Sequence, residues 1–311
     1  MLFDPASFVE NSVKEIQGKV KGQLTLAACS GGVDSTVAAV LVKKAIGDKL
    51  KAVYIDDGFR RFKEPEESIK LLRNCGLDVV FVDAKEEFYT AVKGLRDAEE
   101  KRKAFRHTFY TVLGRTAKTF GAEFLVQGTI APDVIETAGG VKTQHNVLAQ
   151  IGVDPRMYGF EVIEPLKELY KPQVRAVARY LGLPVDISEK MPFPGPGLLI
   201  RVLGEATPEK VEIVRQATRI VEEETKALGA FQAFAVLLEG KATGVRQGKR
   251  VYGHIIAVRV VDSVETVTAI AREVPYPLLK KIAKRITEEV AEVARVVYDV
   301  TDKPPATIEY E

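Results

Sequence analysis

Ser30-Gly31-Gly32-Val33-Asp34-Ser35 is the stretch of this 311-residue chain whose residue types and spacing most directly imply chemistry. Two adjacent glycines open backbone conformations closed to other residues, so successive N–H groups can converge on one anion. The preceding run Leu24-Thr25-Leu26-Ala27-Ala28-Cys29 is apolar without polar alternation, as in a strand buried on both faces. The following run Ser35-Thr36-Val37-Ala38-Ala39-Val40-Leu41-Val42 suits a core helix, whose N-terminus carries partial positive charge and free N–H donors. The expected guest is a phosphate. Neither Gly-x-x-x-x-Gly-Lys nor Gly-x-Gly-x-x-Gly is present, so the loop is neither a Walker loop nor a dinucleotide fingerprint.

The elements around this loop form a repeating pattern. Asp4-Pro5 is a helix start, with Phe8, Val9, Val13, Ile16 and Val20 on one face. Strands are expected at residues 52–55, 79–82, 124–126 and 161–163, separated by helices at 65–74, 98–120 and 171–181. Such alternation implies α/β architecture with a parallel sheet, whose ligands collect at the carboxyl ends of its strands. The second strand ends at Asp56-Asp57-Gly58-Phe59-Arg60-Arg61 and the fourth at Gln127-Gly128-Thr129. Residues 135–156 lose periodicity and read as a lid. The alternating prolines and glycines of residues 191–197 mark a junction, placing one domain at 1–186 and another at 187–311. The second domain reads as small α+β: a helix from Pro208, strands at 233–238 and 252–261 joined by a basic glycine-containing turn at 240–249, and a long helix at 277–298.

Composition narrows the setting. Hydrophobic residues make up 46% of the chain, the net charge is +2, and no apolar run reaches the roughly 20 residues of a membrane helix, so a soluble cytoplasmic protein is expected. Balanced charge gives no support for nucleic acid as a partner. Cys29 and Cys75 form no Cys-x-x-Cys, and Cys29 reads as a small buried residue rather than a nucleophile.

Four further stretches follow the loop in order: residues 127–136, Lys142-Thr143-Gln144-His145-Asn146-Val147, Pro192-Phe193-Pro194-Gly195-Pro196-Gly197, and Lys303-Pro304-Pro305-Ala306-Thr307-Ile308-Glu309. With the loop, they resemble the ATP-pyrophosphatase and C-terminal domains of the GMP synthetase family, from about Leu24 onward. The resemblance implies a parallel-sheet, adenine-nucleotide α-hydrolase-like (PP-loop) domain followed by a small α+β dimerisation domain. It also implies ATP-dependent adenylation of xanthosine monophosphate (XMP), then amination by ammonia to GMP.

By the same resemblance, Cys29, Ser30, Gly31, Gly32, Val33, Asp34 and Ser35 line the ATP site with Asp57, Gly58 and Gly128. Asp34 and Asp133 are the implied Mg2+ ligands, though Asp133 also suits a helix cap after Pro132. Lys142 and His145 are the implied catalytic residues of the lid. Arg61, Lys303, Thr307, Ile308 and Glu309 are the implied XMP contacts, with Lys303 suited to the phosphate and Glu309 to the base. Gln144 stands where the family usually has a second histidine, and Met191 where a histidine usually precedes Pro192.

Most members carry an amidotransferase domain with a Cys-His-Glu triad, but only about 23 residues precede the first strand here. His107, His145 and His254 have no cysteine nucleophile to serve. The expectation is a synthetase subunit that dimerises through its C-terminal domain and receives ammonia from a separate glutamine amidotransferase. A tRNA-modifying adenylating enzyme would need catalytic cysteines and a strongly basic face, and this chain has neither. A regulator that only senses ATP would need neither the lid nor the C-terminal motif.

Overall fold

A computed structural model of the chain describes residues 3–132, 160–188, 190–263 and 267–311. Asp133 and the expected lid, with Lys142, Gln144 and His145, lie outside the described residues. In chain order, helix α1 (Pro5–Val20) precedes strand β1 (Thr25–Ala28), α2 (Val33–Ile46), β2 (Leu50–Asp56), α3 (Glu64–Asn74), β3 (Val79–Asp83), α4 (Lys85–Val92) and α5 (Ala98–Phe120). Then come β4 (Phe124–Val126), β5 (Glu161–Ile163), α6 (Lys171–Tyr180) and the single turn α7 (Val185–Ser188). The chain continues through α8 (Pro208–Thr225), β6 (Gln232–Arg246), β7 (Lys249–Asp262), β8 (Ile270–Ala271), α9 (Tyr276–Glu289) and β9 (Val293–Tyr298).

These elements divide into two compact units. The first comprises Met1–Asp56, Pro65–Ala84 and His107–Lys190, and the second Asp57–Glu64, Lys85–Arg106 and Met191–Glu311. In the first unit, α1 starts where the Asp4 carboxylate accepts the N–H groups of Ala6 at 3.2 Å and Ser7 at 3.1 Å. The sheet has the order β3-β2-β1-β4-β5 and every pair in it is parallel. β1 is central, with Thr25 opposite Leu50 on one side and Phe124 on the other. Leu26, Ala27 and Val53 are buried, as are Val37, Ala38, Ala39, Leu41 and Val42 of α2. A helix so apolar must be covered, and α1 and α6 pack on it.

The second unit includes α4, which the sequence reading did not anticipate; Phe88 and Val92, one helical turn apart, are its buried anchors. The Phe88 and Phe105 rings lie 4.9 Å apart, as do those of Phe59 and Tyr89. Lys101 is fully buried, donating to the carbonyls of Val202 at 2.8 Å and Gly204 at 3.0 Å and pairing with the Glu311 carboxylate. Burial pushes the Lys101 ammonium down and the Glu311 carboxyl up from their ordinary values.

Two expectations for this unit are corrected. Residues 241–246 do not form a turn: they pair with 249–254 as the end of the β6–β7 hairpin, and the turn itself is Gln247-Gly248, at φ 50 and 75. Two successive positive φ values match the twist of the flanking strands, and a bulge between Leu238 and Lys241 absorbs Gly240 at φ 96. The long helix ends at Glu289, and Val293–Tyr298 is a strand paired in parallel with β7. The spacing of Val290, Val293 and Val297 fits one helical face, but Val-Ala-Arg-Val-Val-Tyr favours a pleated ladder, and β7 supplies one. The sheet among the described residues of this unit thus has four strands, where the apolar runs indicate two.

Gly253 of β7 lies against the segment that enters β9: a Cβ there would lie 2.7 Å from the Glu292 carbonyl oxygen and 3.1 Å from the Ala294 nitrogen. Gly253→Val should therefore lower stability by about 1–3 kcal/mol through overpacking against backbone, measured by urea unfolding. An unchanged midpoint would contradict the pairing of these strands.

Candidate active site

The glycine loop lies in the first unit, where β1 ends and α2 begins. Cys29 is buried and gives its N–H to Val53 O at 2.9 Å, while burial pushes its thiol up to about 12. It packs the strand end and has neither N–H nor thiolate to offer a ligand. Gly31 has φ 74, and a Cβ there would meet Ser68 Oγ at 2.5 Å and Ser68 Cβ at 2.7 Å. Gly32 is the N-cap of α2 and no side chain caps that helix start. The first-turn N–H groups, including those of Val33 and Asp34, are therefore disposed for an anion.

Hydroxyl groups brace the turn from within. Ser35 Oγ accepts the Ser30 N–H at 3.3 Å, lies 3.3 Å from Ser30 Oγ, and donates to Gly32 O at 3.2 Å. Thr36 Oγ1 donates to the same carbonyl at 2.7 Å. Gly128 follows β4 and passes directly beneath the helix start: a Cβ on it would lie 2.6 Å from Ser35 N and 2.8 Å from Asp34 C. The loop and Gly128 are thus brought together.

Asp34 is not bare. Lys171 Nζ donates to both of its carboxylate oxygens, at 2.9 and 2.7 Å, and Lys190 Nζ donates to Gly31 O at 3.4 Å. Neither lysine was anticipated, because nothing in their spacing separates them from ordinary solvated helix charges. Among the described residues no group of three or more His, Cys, Asp or Glu side chains could hold a metal. Mg2+ commonly takes one or two carboxylates and fills its octahedron with water and substrate phosphate oxygens, and one partly exposed carboxylate at the loop fits that donor set.

The second unit holds the remaining expected residues. Asp57 is buried and its carboxylate accepts from Phe59 N–H at 2.8 Å and Arg60 Nε at 2.9 Å. Gly58, at φ 81, approaches Tyr89 so closely that a Cβ would lie 2.7 Å from its ring. The Gly58 carbonyl accepts from Tyr89 Oη at 3.1 Å and Arg215 Nη2 at 2.5 Å. Arg61 is only 12% exposed: its Nε donates to Glu222 at 2.7 Å, and its guanidinium lies 4.2 Å from the Phe193 ring centroid. It is not the solvated loop charge that an isolated arginine suggests.

Arg201 lies at the centre of this region. It is 1% exposed, donates to Glu309 at 2.9 and 2.8 Å, and lies 4.0 Å from the Phe234 ring centroid and 4.9 Å from that of Phe193. Its buried Nη1 has no hydrogen-bond partner among the described residues. Gln232 Nε2 reaches Pro192 O at 3.1 Å and Glu309 at 3.4 Å. Phe193 and Arg201 thereby connect Arg61 to Glu309. The backbone of Lys303 pairs with Ala269, and buried Arg259 donates to the carbonyls of Thr307 at 2.8 Å and Ile308 at 2.9 Å. Arg201 and Gln232 were missed; the available signal was a lone cation inside the apolar run 198–202.

Gly128→Ala tests the packing at the loop. The added methyl meets only backbone, so stability should fall by about 1–3 kcal/mol and nucleotide binding should weaken with it, measured by thermal unfolding and calorimetry. Wild-type values for both would contradict this close approach.

Comparisons with known proteins find relatives of both parts of the chain. Residues 5–185 match the PP-loop domain family, and residues 219–310 match the GMP synthase C terminal domain family. A subunit of the glutamine-hydrolyzing GMP synthase of Archaeoglobus fulgidus is 55% identical over 99% of this chain and 100% of its own length. The corresponding subunits from Methanopyrus kandleri and Pyrococcus horikoshii are 52% and 51% identical, over 100% and 99% of this chain and the full length of each. With an uncapped helix start on a PP-loop domain, a C-terminal segment tied to a buried arginine, and full-length identity of this order, the chain belongs to the family of ATP-pyrophosphatase subunits of glutamine-hydrolyzing GMP synthase.

Proposed function

We propose that this chain makes GMP from XMP at the expense of ATP, using ammonia delivered by a separate glutamine amidotransferase subunit. The observation that carries the reading is end-to-end identity of 55% with a subunit of a glutamine-hydrolyzing GMP synthase. The loop geometry supports it: an uncapped helix start suits the pyrophosphate that leaves when the C2 oxygen of XMP attacks the α-phosphorus of ATP. Ammonia then displaces AMP from C2.

Within this scheme, residues 1–186 carry the ATP-pyrophosphatase chemistry and residues 187–311 bind XMP and dimerise. Ser30, Gly31, Gly32, Val33 and Ser35 orient the β- and γ-phosphates through backbone N–H groups and hydroxyls. Asp34 and Asp133 hold Mg2+, which when bound neutralises charge on the pyrophosphate. Asp57 and Gly58 border the nucleotide, and Lys142 and His145 act from the lid. Arg61, Lys303, Thr307, Ile308 and Glu309 take XMP, joined by Arg201 and Gln232 because both contact Glu309. The scheme places the reaction in the cytoplasm; no described helix is long and apolar enough to cross a membrane.

Purified chain with ATP, Mg2+, XMP and ammonium should yield AMP and GMP in equal amounts, and glutamine should not replace ammonium. AMP without GMP, or GMP from glutamine with this chain alone, would overturn the scheme. Glu309→Gln should raise the KM for XMP roughly tenfold or more, as expected for loss of a charged hydrogen-bond acceptor, with the KM for ATP little changed. Equal effects on both substrates would argue against a base contact.

A homodimer through the C-terminal domain also belongs to this proposal, supported by exposed Val245, Tyr252, Ile270, Tyr276 and Val300 in the second unit. Sedimentation velocity should give a dimer at micromolar concentration; a monomer would refute it.

A further inference from the structure

We infer that Glu222 is a positioning residue of the acceptor site: it holds Arg61 by the Nε edge, so that the terminal nitrogens of the guanidinium are presented to the phosphate of XMP. The inference rests on the reading of Arg61 as an XMP contact. A guanidinium carries its N–H donors in a planar fork that matches two oxygens of one phosphate. The match has value only when the fork is oriented. An arginine stem is long and flexible, so its orientation must come from its neighbours.

The backbone that leads into Arg61 is fixed first. Arg215 on α8 donates to Gly58 O at 2.5 Å and to Arg60 O at 2.9 Å, while the Leu198 N–H donates to Phe59 O at 2.8 Å. Each carbonyl from Gly58 to Arg60 is therefore taken, and Glu64 accepts the Arg61 N–H at 3.1 Å. Glu222 follows Arg215 by two helical turns on α8, which puts both on one face of that helix. The buried Val211, Val214 and Val221 seat α8 in the core.

The side chain is fixed next. Glu222 Oε1 accepts from Arg61 Nε at 2.7 Å, Pro192 O accepts from Nη2 at 3.3 Å, and the Phe193 ring centroid lies 4.2 Å from the guanidinium carbon. Glu64 Oε1 stands 3.6 Å from Nη1, an ion-pair distance too long for a hydrogen bond. Among the described residues, these bonds take neither N–H of Nη1 and only one of Nη2. The end-on edge is thus left for an anion, while the carboxylate of Glu222 sits on the other edge. The side chains of Arg61 and Glu222 are 12% and 27% exposed, so water screens the pair less than it would a surface ion pair.

Steady-state kinetics of the full-length chain, with ammonium as nitrogen donor, would compare wild type with Glu222→Ala, Glu222→Gln, Arg61→Ala and the double variant Arg61→Ala/Glu222→Ala. Glu222→Ala should raise the KM for XMP roughly tenfold, the scale of one charge-assisted hydrogen bond. Its kcat and its KM for ATP should stay within about twofold of wild type. Glu222→Gln keeps an oxygen that accepts from Nε, so its KM for XMP should stay within about threefold. In the Arg61→Ala background, Glu222→Ala should change that KM by less than about twofold, because a residue acting through Arg61 has nothing left to orient.

A rise of the same size with and without Arg61 would overturn the inference, as would equal rises in the KM values for XMP and ATP, the mark of a merely structural role. Glu222→Ala with an unchanged or lowered KM for XMP would also overturn it, since the carboxylate would then restrain Arg61 rather than present it. Equal losses in the Ala and Gln variants would overturn positioning through the Nε hydrogen bond. A wild-type KM for XMP in Arg61→Ala would instead overturn the reading of Arg61 as an XMP contact beneath it.

Discussion

The start of α2 without a side-chain cap is the constraint on which the first unit depends. An α-helix leaves its first N–H groups unpaired, and most proteins satisfy them with Ser, Thr, Asp or Asn at the N-cap. Here the N-cap is Gly32, and the loop before it bends through Gly31 at φ 74 against Ser68. Gly128 brings the end of β4 under the same turn. The central position of β1 in a parallel sheet is what allows these neighbours to close around one helix terminus. No side chain of the fold takes the donors left at that terminus.

The second unit meets a different demand, that of keeping its C-terminal segment in place. Terminal residues usually fray, yet this segment provides acceptors for cations that the core has buried. Arg259 takes the carbonyls of Thr301, Thr307 and Ile308 together with the Asp299 carboxylate, and Arg201 takes the Glu309 carboxylate. Lys101 and Arg102 take the side chain and backbone of Glu311. A buried cation without a partner is strongly destabilising, so the core requires the tail as much as the tail requires the core. The same atoms set the position of Glu309, which ties the stability of the unit to the shape of its candidate acceptor site.

Local rules explain how much of this was legible. β1 through β5 and the helices between them, α4 excepted, followed from apolar runs and their periods, and the α1 cap from Asp4-Pro5. The errors fell where two periods overlap. Val290, Val293 and Val297 satisfy a helical stripe and also sit in a β-branched run, and only the availability of β7 as a partner selects the strand. Residues 240–249 read as a turn because of their glycines, although one glycine serves a bulge and the true turn is two residues long.

What the sequence determined by itself was the loop, its strand and its helix, together with the order of motifs that marks the family, because these depend on contiguous residues. What only the tertiary structure decided was which charges meet. Lys171 lies 137 residues from Asp34 and Arg201 lies 108 from Glu309, distances over which no periodicity carries information. Ion pairs of that kind are set by packing, since a charge removed from water must find its opposite wherever the folded backbone places one.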